Sequence, residues 1–81
     1  MSKFPRFILE RAINLRDSLR VVYLALYEIG KPATASDVAE KIGEARAYVH
    51  LRLNQLADMG YVKRTKQGKK ILFEVKQNEE T

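Results

Sequence analysis

Basic side chains are concentrated in one third of this 81-residue chain, and their chemistry is the neutralisation of a polyanion. Residues 44–70 hold seven Lys and Arg against Glu44 and Asp58, an excess that equals the whole net charge of +5. Such a concentration is the electrostatic footprint of a polyanionic partner. The alternative is an ordinary solvated surface, and charge alone does not separate the two. The seven cations are Arg46, Arg52, Lys63, Arg64, Lys66, Lys69 and Lys70.

Catalytic chemistry has little support in the composition. The chain has no Cys and a single His, His50, so thiol nucleophiles, thiolate metal sites and His clusters are excluded. The four Gly residues, at 30, 43, 60 and 68, are too far apart to form a glycine-rich phosphate loop, and each is explained by a turn. We therefore predict no enzyme activity, no cofactor, no metal site and no small-molecule effector. The acidic residues that lack metal-ligand spacing are Glu10, Asp17, Glu28, Glu40 and Glu44.

Chain length predicts a single domain with a small core. About 60% of the unfolded surface is buried at this size, so a second copy of the chain is a reasonable support. The longest apolar run, residues 21–27, is far shorter than the roughly 20 residues of a membrane span. Residues 1–6 place charge and Pro where a signal peptide would be apolar. We expect a cytoplasmic, nucleoid-associated protein with no membrane partner.

Apolar spacing predicts the elements that position the basic residues. Helices are expected at 4–14, 16–30, 34–42 and 45–59, followed by strands at 61–64 and 71–75. A turn at 66–70 contains Gly68, which accepts positive φ. In the fourth helix the inner face is predicted from spacing, and the opposite face carries the side chains available to a partner. The inner face is Ala45, Val49, Leu53 and Leu56, and the outer face is Ala47, Tyr48, His50, Leu51, Asn54 and Asp58.

The helix at 34–42 has a specific start signal. Thr34 followed by Asp37 predicts a capping box, with Asp in place of the usual Glu or Gln. Gly43 then supplies a turn into the next, longer helix. A short helix, a turn with Gly and a longer helix form the helix-turn-helix arrangement.

The N-terminal arm, residues 1–15, exposes more apolar surface than a free segment should. We expect it to pack either against the chain's own core or against a second subunit. Our preferred interpretation is a dimer contact, whereas the polar tail 77–81 is expected to be disordered. The predicted dimer residues are Phe4, Phe7, Ile8, Leu9, Ala12 and Ile13.

Two stretches resemble the winged helix-turn-helix domain. They are Thr34-Ala35-Ser36-Asp37-Val38-Ala39 and Leu53-Asn54-Gln55-Leu56-Ala57-Asp58-Met59-Gly60-Tyr61-Val62-Lys63-Arg64. The second matches the passage from recognition helix to wing, and the similarity covers residues 16–76. It is greatest to the MarR- and ArsR-like transcription regulators of bacteria and archaea. The resemblance implies an α+β, mostly α, fold with a three-helix core, a two-stranded wing and, here, an extra N-terminal helical arm.

The resemblance also implies double-stranded DNA binding by a homodimer that regulates transcription or acts as a minor chromatin protein. The third helix of the core would enter the major groove, and the wing would lie on the backbone or in a minor groove. Arg46 and Arg52 are predicted to contact backbone phosphates, and Asn54 is predicted to pair with adenine if it faces the groove floor. The helix candidates are Arg46, Ala47, Tyr48, His50, Leu51, Arg52 and Asn54, and the wing candidates are Lys63, Arg64, Lys66, Lys69 and Lys70.

Two features depart from the family pattern. Leu51 lies on the outer face, where a polar or basic residue is common, so it would touch either a thymine methyl or a protein partner. Gly43-Glu44 precedes the recognition helix where Ser or Thr is commoner, and Glu44 would repel phosphate. The rival interpretation is a winged helix that binds proteins in a larger assembly and has no affinity for duplex DNA.

Overall fold

Four helices and a two-stranded antiparallel hairpin make up the described part of this computed structural model, residues 4–76. The α+β, mostly helical winged-helix prediction is confirmed. The predicted disordered tail, 77–81, lies outside the described residues, as do residues 1–3. The elements are α1 Arg6–Ile13, α2 Asp17–Ile29, α3 Ala35–Ile42, α4 Arg46–Asp58, β1 Val62–Gln67 and β2 Lys70–Val75.

The core forms where α2, α3 and α4 meet the base of the hairpin. The apolar stripes expected from helical spacing are buried on α2 and α4, and alternation along β2 buries Phe73 and Val75. Ala45 departs from the prediction: it is the N-cap of α4 and is exposed. Because the helix begins only at Arg46, Ala45 does not share its inward face.

The arm folds back on its own chain. Ile8 and Ala12 of α1 are buried in the core, and Phe4 and Phe7 are half-buried against it. The side chains of Ile8 and Ala12 are therefore unavailable as the dimer contacts we predicted, because the intramolecular core already covers them. Leu9 and Ile13 remain exposed, the latter to 73%.

Arg20 joins α1 to α2. Its Nε donates to the carbonyl oxygen of Ala12 at 3.0 Å, and its Nη2 donates to that of Leu15 at 2.7 Å. Carbonyls at a helix C-terminus lack intrahelical partners, and a cation there also favours the helix dipole. A third bond, from Nη1 to Asp17 Oδ1 at 2.8 Å, fixes the guanidinium. The N-cap of α2 is Arg16, which makes no side-chain cap bond.

The hairpin is longer than predicted. Gln67 pairs with Lys70, so the strands are joined by the two-residue turn Gly68-Lys69. Gly68 has φ 64°, a conformation that a two-residue hairpin turn requires and that Gly adopts without strain. The tight turn extends β1 by three residues and β2 by one residue beyond the predicted strand ends at 64 and 71, and it brings more of the cations onto the wing.

Candidate nucleic-acid interface

A cleft opens between the N-terminus of α3, the first turns of α4 and the hairpin turn, with a volume of about 380 Å³. Arg46, Lys69 and Lys70 bring three cations to it, against the single carboxylate of Asp37. This concentration of positive charge in a concave surface is suited to an anion such as a backbone phosphate. The remaining lining residues are Thr34, Ala35, Ser36, His50 and Ile71.

A backbone bridge positions the two sides of this cleft. The N–H of Ala33 donates to the carbonyl of Phe73 at 2.9 Å, and the N–H of Phe73 donates to the carbonyl of Ala33 at 2.7 Å. The bridge holds the residue before the α3 cap against β2. Because Phe73 is buried beneath it, the distance between α3 and the wing is set by the core itself.

The capping box predicted from Thr34 and Asp37 is confirmed. Asp37 N–H donates to Thr34 Oγ1, and Thr34 N–H donates to Asp37 Oδ2, each at 3.1 Å. The Asp37 carboxylate is therefore engaged by the backbone at the start of α3. Its charge stabilises that helix end, where the dipole is positive.

His50 faces the wing rather than the outer side of α4. Its ring lies edge-on to the ring of Phe73, with centroids 6.0 Å apart and an interplanar angle of 78°. It is half-buried and lines the cleft beside the cations. The prediction placed it on the outer face because helical spacing alone does not show on which side the hairpin packs.

Two of the predicted helix contacts are held against α4. The guanidinium carbon of Arg52 lies 4.9 Å from the ring centroid of Tyr48, and Arg52 Nη1 donates to Gln55 Oε1 at 2.8 Å. Arg52 Nε is buried and has no hydrogen-bond partner among residues 4–76. Both side chains are half-buried and pack against each other on the helix.

Ala47 and Leu51 form the apolar ridge, the name used below for these two exposed residues one turn apart on α4. Leu51 is 53% exposed and stands opposite the buried Val49 and Leu53. A residue two positions from each buried neighbour points away from the core on a helix. The ridge is therefore the part of α4 that faces outward.

Register divides the cations of β1 between the two faces of the hairpin. Arg64 lies opposite Phe73 and Lys66 opposite Ile71, so both share the face turned towards α4. Arg64 Nη1 donates a short hydrogen bond to Asn54 Oδ1, which ties the wing to α4. Lys63 pairs with Glu74 and lies on the other face, away from the cleft.

The structure thus brings together most of the predicted site residues on one side of the molecule. Thr34, Ser36 and Gln55 are additional residues of this surface that sequence reasoning did not select. The capping signal located the start of α3, but its closeness to the wing depends on the Ala33–Phe73 bridge, which has no local signature.

Within residues 4–76, no helix is long and apolar enough to cross a membrane. The same residues contain no group of three or more His, Asp and Glu side chains arranged to hold a metal ion.

A helix-turn-helix followed by a cationic hairpin beside its second helix defines the winged helix-turn-helix class of DNA-binding proteins. The chain belongs to the TrmB family, described as sugar-specific transcriptional regulators, whose model matches residues 9–79. The winged-helix prediction is confirmed by this match, and the DNA partner follows from the regulator family. The finer likeness to MarR- and ArsR-like regulators stays a prediction.

Two archaeal proteins are similar to this chain. An uncharacterised protein of Archaeoglobus fulgidus is 38% identical over 60 residues, which cover 74% of this chain and 80% of that protein. The crystal structure of the ST1889 protein from the thermoacidophilic archaeon Sulfolobus tokodaii superposes with a TM-score of 0.72 at 26% identity. That likeness covers 90% of this chain and 73% of the other.

Proposed function

We propose that this protein binds double-stranded DNA as a homodimeric transcriptional regulator, with α4 in the major groove and the wing on the adjacent backbone or minor groove. The observation that carries the proposal is the cleft in which Arg46, Lys69 and Lys70 meet beside the exposed face of α4. A helix fits the major groove, and cations at its edge reach the phosphates that border the groove.

The contacts separate by chemistry. We assign phosphate binding to the cations on the cleft side, because Lys and Arg neutralise phosphate without reading sequence. The outward side chains of α4 meet the base edges. We do not assign phosphate contacts to Arg52 and Lys63, because Arg52 is packed on Tyr48 and Lys63 lies on the far face of the hairpin. The phosphate contacts are Arg46, Arg64, Lys66, Lys69 and Lys70.

A salt titration of duplex affinity tests this proposal. Each neutralised phosphate contributes about 0.9 to the slope of log affinity against log salt, so five contacts give a slope of about −4.5 per chain. We expect this steep fall on any duplex, with a smaller additional preference between sequences. A flat salt dependence, or no affinity at low salt, would contradict the proposal.

The homodimer is supported by apolar surface on α1. Leu9 and Ile13 are exposed one turn apart on α1, and Phe4 and Phe7 of the same arm are only half-buried. An exposed apolar stripe on a small chain is stabilised when a second copy covers it. Two copies would also place two α4 helices on paired half-sites.

A second candidate function is a protein-binding module. Leu51, 53% exposed on the outer face of α4, favours it, because apolar side chains also anchor protein interfaces. The titration separates the two functions, since a protein-binding module would have no measurable duplex affinity at low salt.

A further inference from the structure

We propose that the apolar ridge of α4, Ala47 and Leu51, selects pyrimidines that carry a 5-methyl group in the major groove, namely thymine and 5-methylcytosine. The inference rests on the proposed function, because it assumes that α4 enters that groove. It adds the chemical feature of the base that the helix would recognise.

The polar side chains beside the ridge are already engaged within the protein. Asn54 Oδ1 accepts from Arg64, and the Arg52 guanidinium is held by Gln55 and Tyr48. Bidentate recognition of adenine needs the amide oxygen of Asn to accept from the adenine amino group. Because that oxygen already accepts from Arg64, we expect Asn54 to contribute less to adenine recognition than its position in the sequence suggested.

The ridge itself presents only carbon to the groove. Ala47 and Leu51 are both exposed, and four residues along a helix correspond to about 6 Å, or nearly two base steps of 3.4 Å. The 5-methyl group of thymine projects into the major groove and is the one apolar feature of its base-pair edge. A methyl at the same ring position of cytosine projects in the same direction.

Charge identifies DNA rather than a protein as the occupant of this face. The ridge is bordered on the wing side by Arg46, Lys69 and Lys70 at the cleft, and by Arg64 on β1. Cations along one side of an apolar centre are complementary to the row of phosphates at one edge of a groove whose floor is made of bases. A protein ligand would need a matching acidic border.

The experiment compares methylated and unmethylated duplexes at one salt concentration. The probes are 20-base-pair alternating d(A-T) against d(A-U), and alternating d(G-C) against the same duplex with 5-methylcytosine. Burial of one methyl group corresponds to an affinity ratio of about four-fold. We expect the wild-type protein to prefer the methylated member of each pair by at least this ratio.

The variant Leu51→Ala should reduce the preference in both pairs towards unity. The matched control is Val21→Ala, because Val21 on α2 is 52% exposed, almost the same as Leu51, yet belongs to another helix. We expect Val21→Ala to keep the full ratio. Since methylation also changes DNA stiffness, the loss of the ratio in Leu51→Ala alone separates contact from shape readout.

Three results would overturn the inference. Equal affinity for methylated and unmethylated duplexes, with a steep salt dependence, would overturn it while leaving the proposed function intact. If Leu51→Ala kept the same preference for methylated duplexes as the wild type, the preference would be due to DNA shape rather than to contact with the ridge. Failure to bind any of the four duplexes at low salt would refute the proposed function as well and assign the ridge to a protein partner.

Discussion

Arg64 of the wing donates a hydrogen bond to the side-chain oxygen of Asn54 on α4. The bond joins two residues that are ten positions apart in the chain, and it fixes the orientation of the wing cation beside the helix. The proposed interface is therefore one surface rather than a helix and a hairpin that bind independently.

Replacing Arg64 with Ala should weaken duplex binding about equally on all sequences and lower the magnitude of the salt slope by about one. The matched control is Lys63→Ala, which removes one charge from the neighbouring residue on the opposite face of the hairpin. Fluorescence anisotropy over a range of salt concentrations measures both slopes. If both variants lost the same affinity and the same salt slope, the two faces of the wing would contribute equally to DNA binding, against this prediction.

The double variant Lys69→Ala, Lys70→Ala removes two of the three cleft cations. We expect the salt slope to fall in magnitude by about two, with an affinity loss that does not depend on sequence. Lys31→Ala with Lys41→Ala removes the same charge elsewhere on the chain. If both double variants shift the slope alike, binding follows net charge rather than the cleft.

Replacing Arg20 with Ala should lower the free energy of unfolding by about 2 kcal/mol, because the partly buried carbonyls of Ala12 and Leu15 lose a charged donor. Arg16→Ala is the control, since Arg16 is exposed and makes no side-chain cap bond. Urea denaturation followed by circular dichroism gives both values. If the two variants had the same free energy of unfolding, the proposed role of Arg20 in holding α1 would be contradicted.

Replacing Ile13 with Lys should lower the solution mass towards that of one chain without unfolding the domain, because this side chain is 73% exposed. Ile8→Ala should act differently and cost about 2–5 kcal/mol of stability, since Ile8 is buried in the chain's own core. Analytical ultracentrifugation and thermal melts separate the two effects. A dimer that persists in Ile13→Lys would place the subunit contact elsewhere.

Replacing Thr34 with Ala should cost about 1 kcal/mol of stability, because the N-terminus of α3 loses its side-chain cap. In a domain of this size that corresponds to a melting temperature lower by about 4–8 °C. Ser36→Ala, an exposed site within the same helix, is the matched control and should change little. A Ser36→Ala loss as large as that of Thr34→Ala would contradict the capping role.

Periodic features of the fold could be read from the sequence, whereas contacts between distant segments could not. The inward stripe of Val49, Leu53 and Leu56 and the alternation of Phe73 and Val75 follow from side-chain geometry within one element. The same geometry located α3 through the cap formed by Thr34 with Asp37, because both partners lie within one turn.

The candidate site was predicted only in part for the same reason. His50 and Asn54 contact the hairpin instead of pointing freely outward, because the hairpin packs beside α4. Nothing in the sequence near either residue shows where the hairpin lies. Alternation places Lys63 and Arg64 on opposite faces, but which face packs towards α4 depends on contacts with distant residues, and the turn has two residues rather than the five predicted at 66–70. Arg20 was overlooked because two of its three partners, the carbonyl oxygens of Ala12 and Leu15, lie before its own helix in the chain.

The Ala33–Phe73 bridge also determines how the wing can move. It clamps the root of the hairpin, where Val62 and Val75 are buried as well, while residues 65–70 are exposed. The hairpin is therefore held firmly at its base, and we expect its exposed turn end to bend more easily than the base. In the proposed binding mode, we expect such a tip to follow grooves of different widths while α4 keeps its angle, so that one protein would engage operators whose flanks differ in shape.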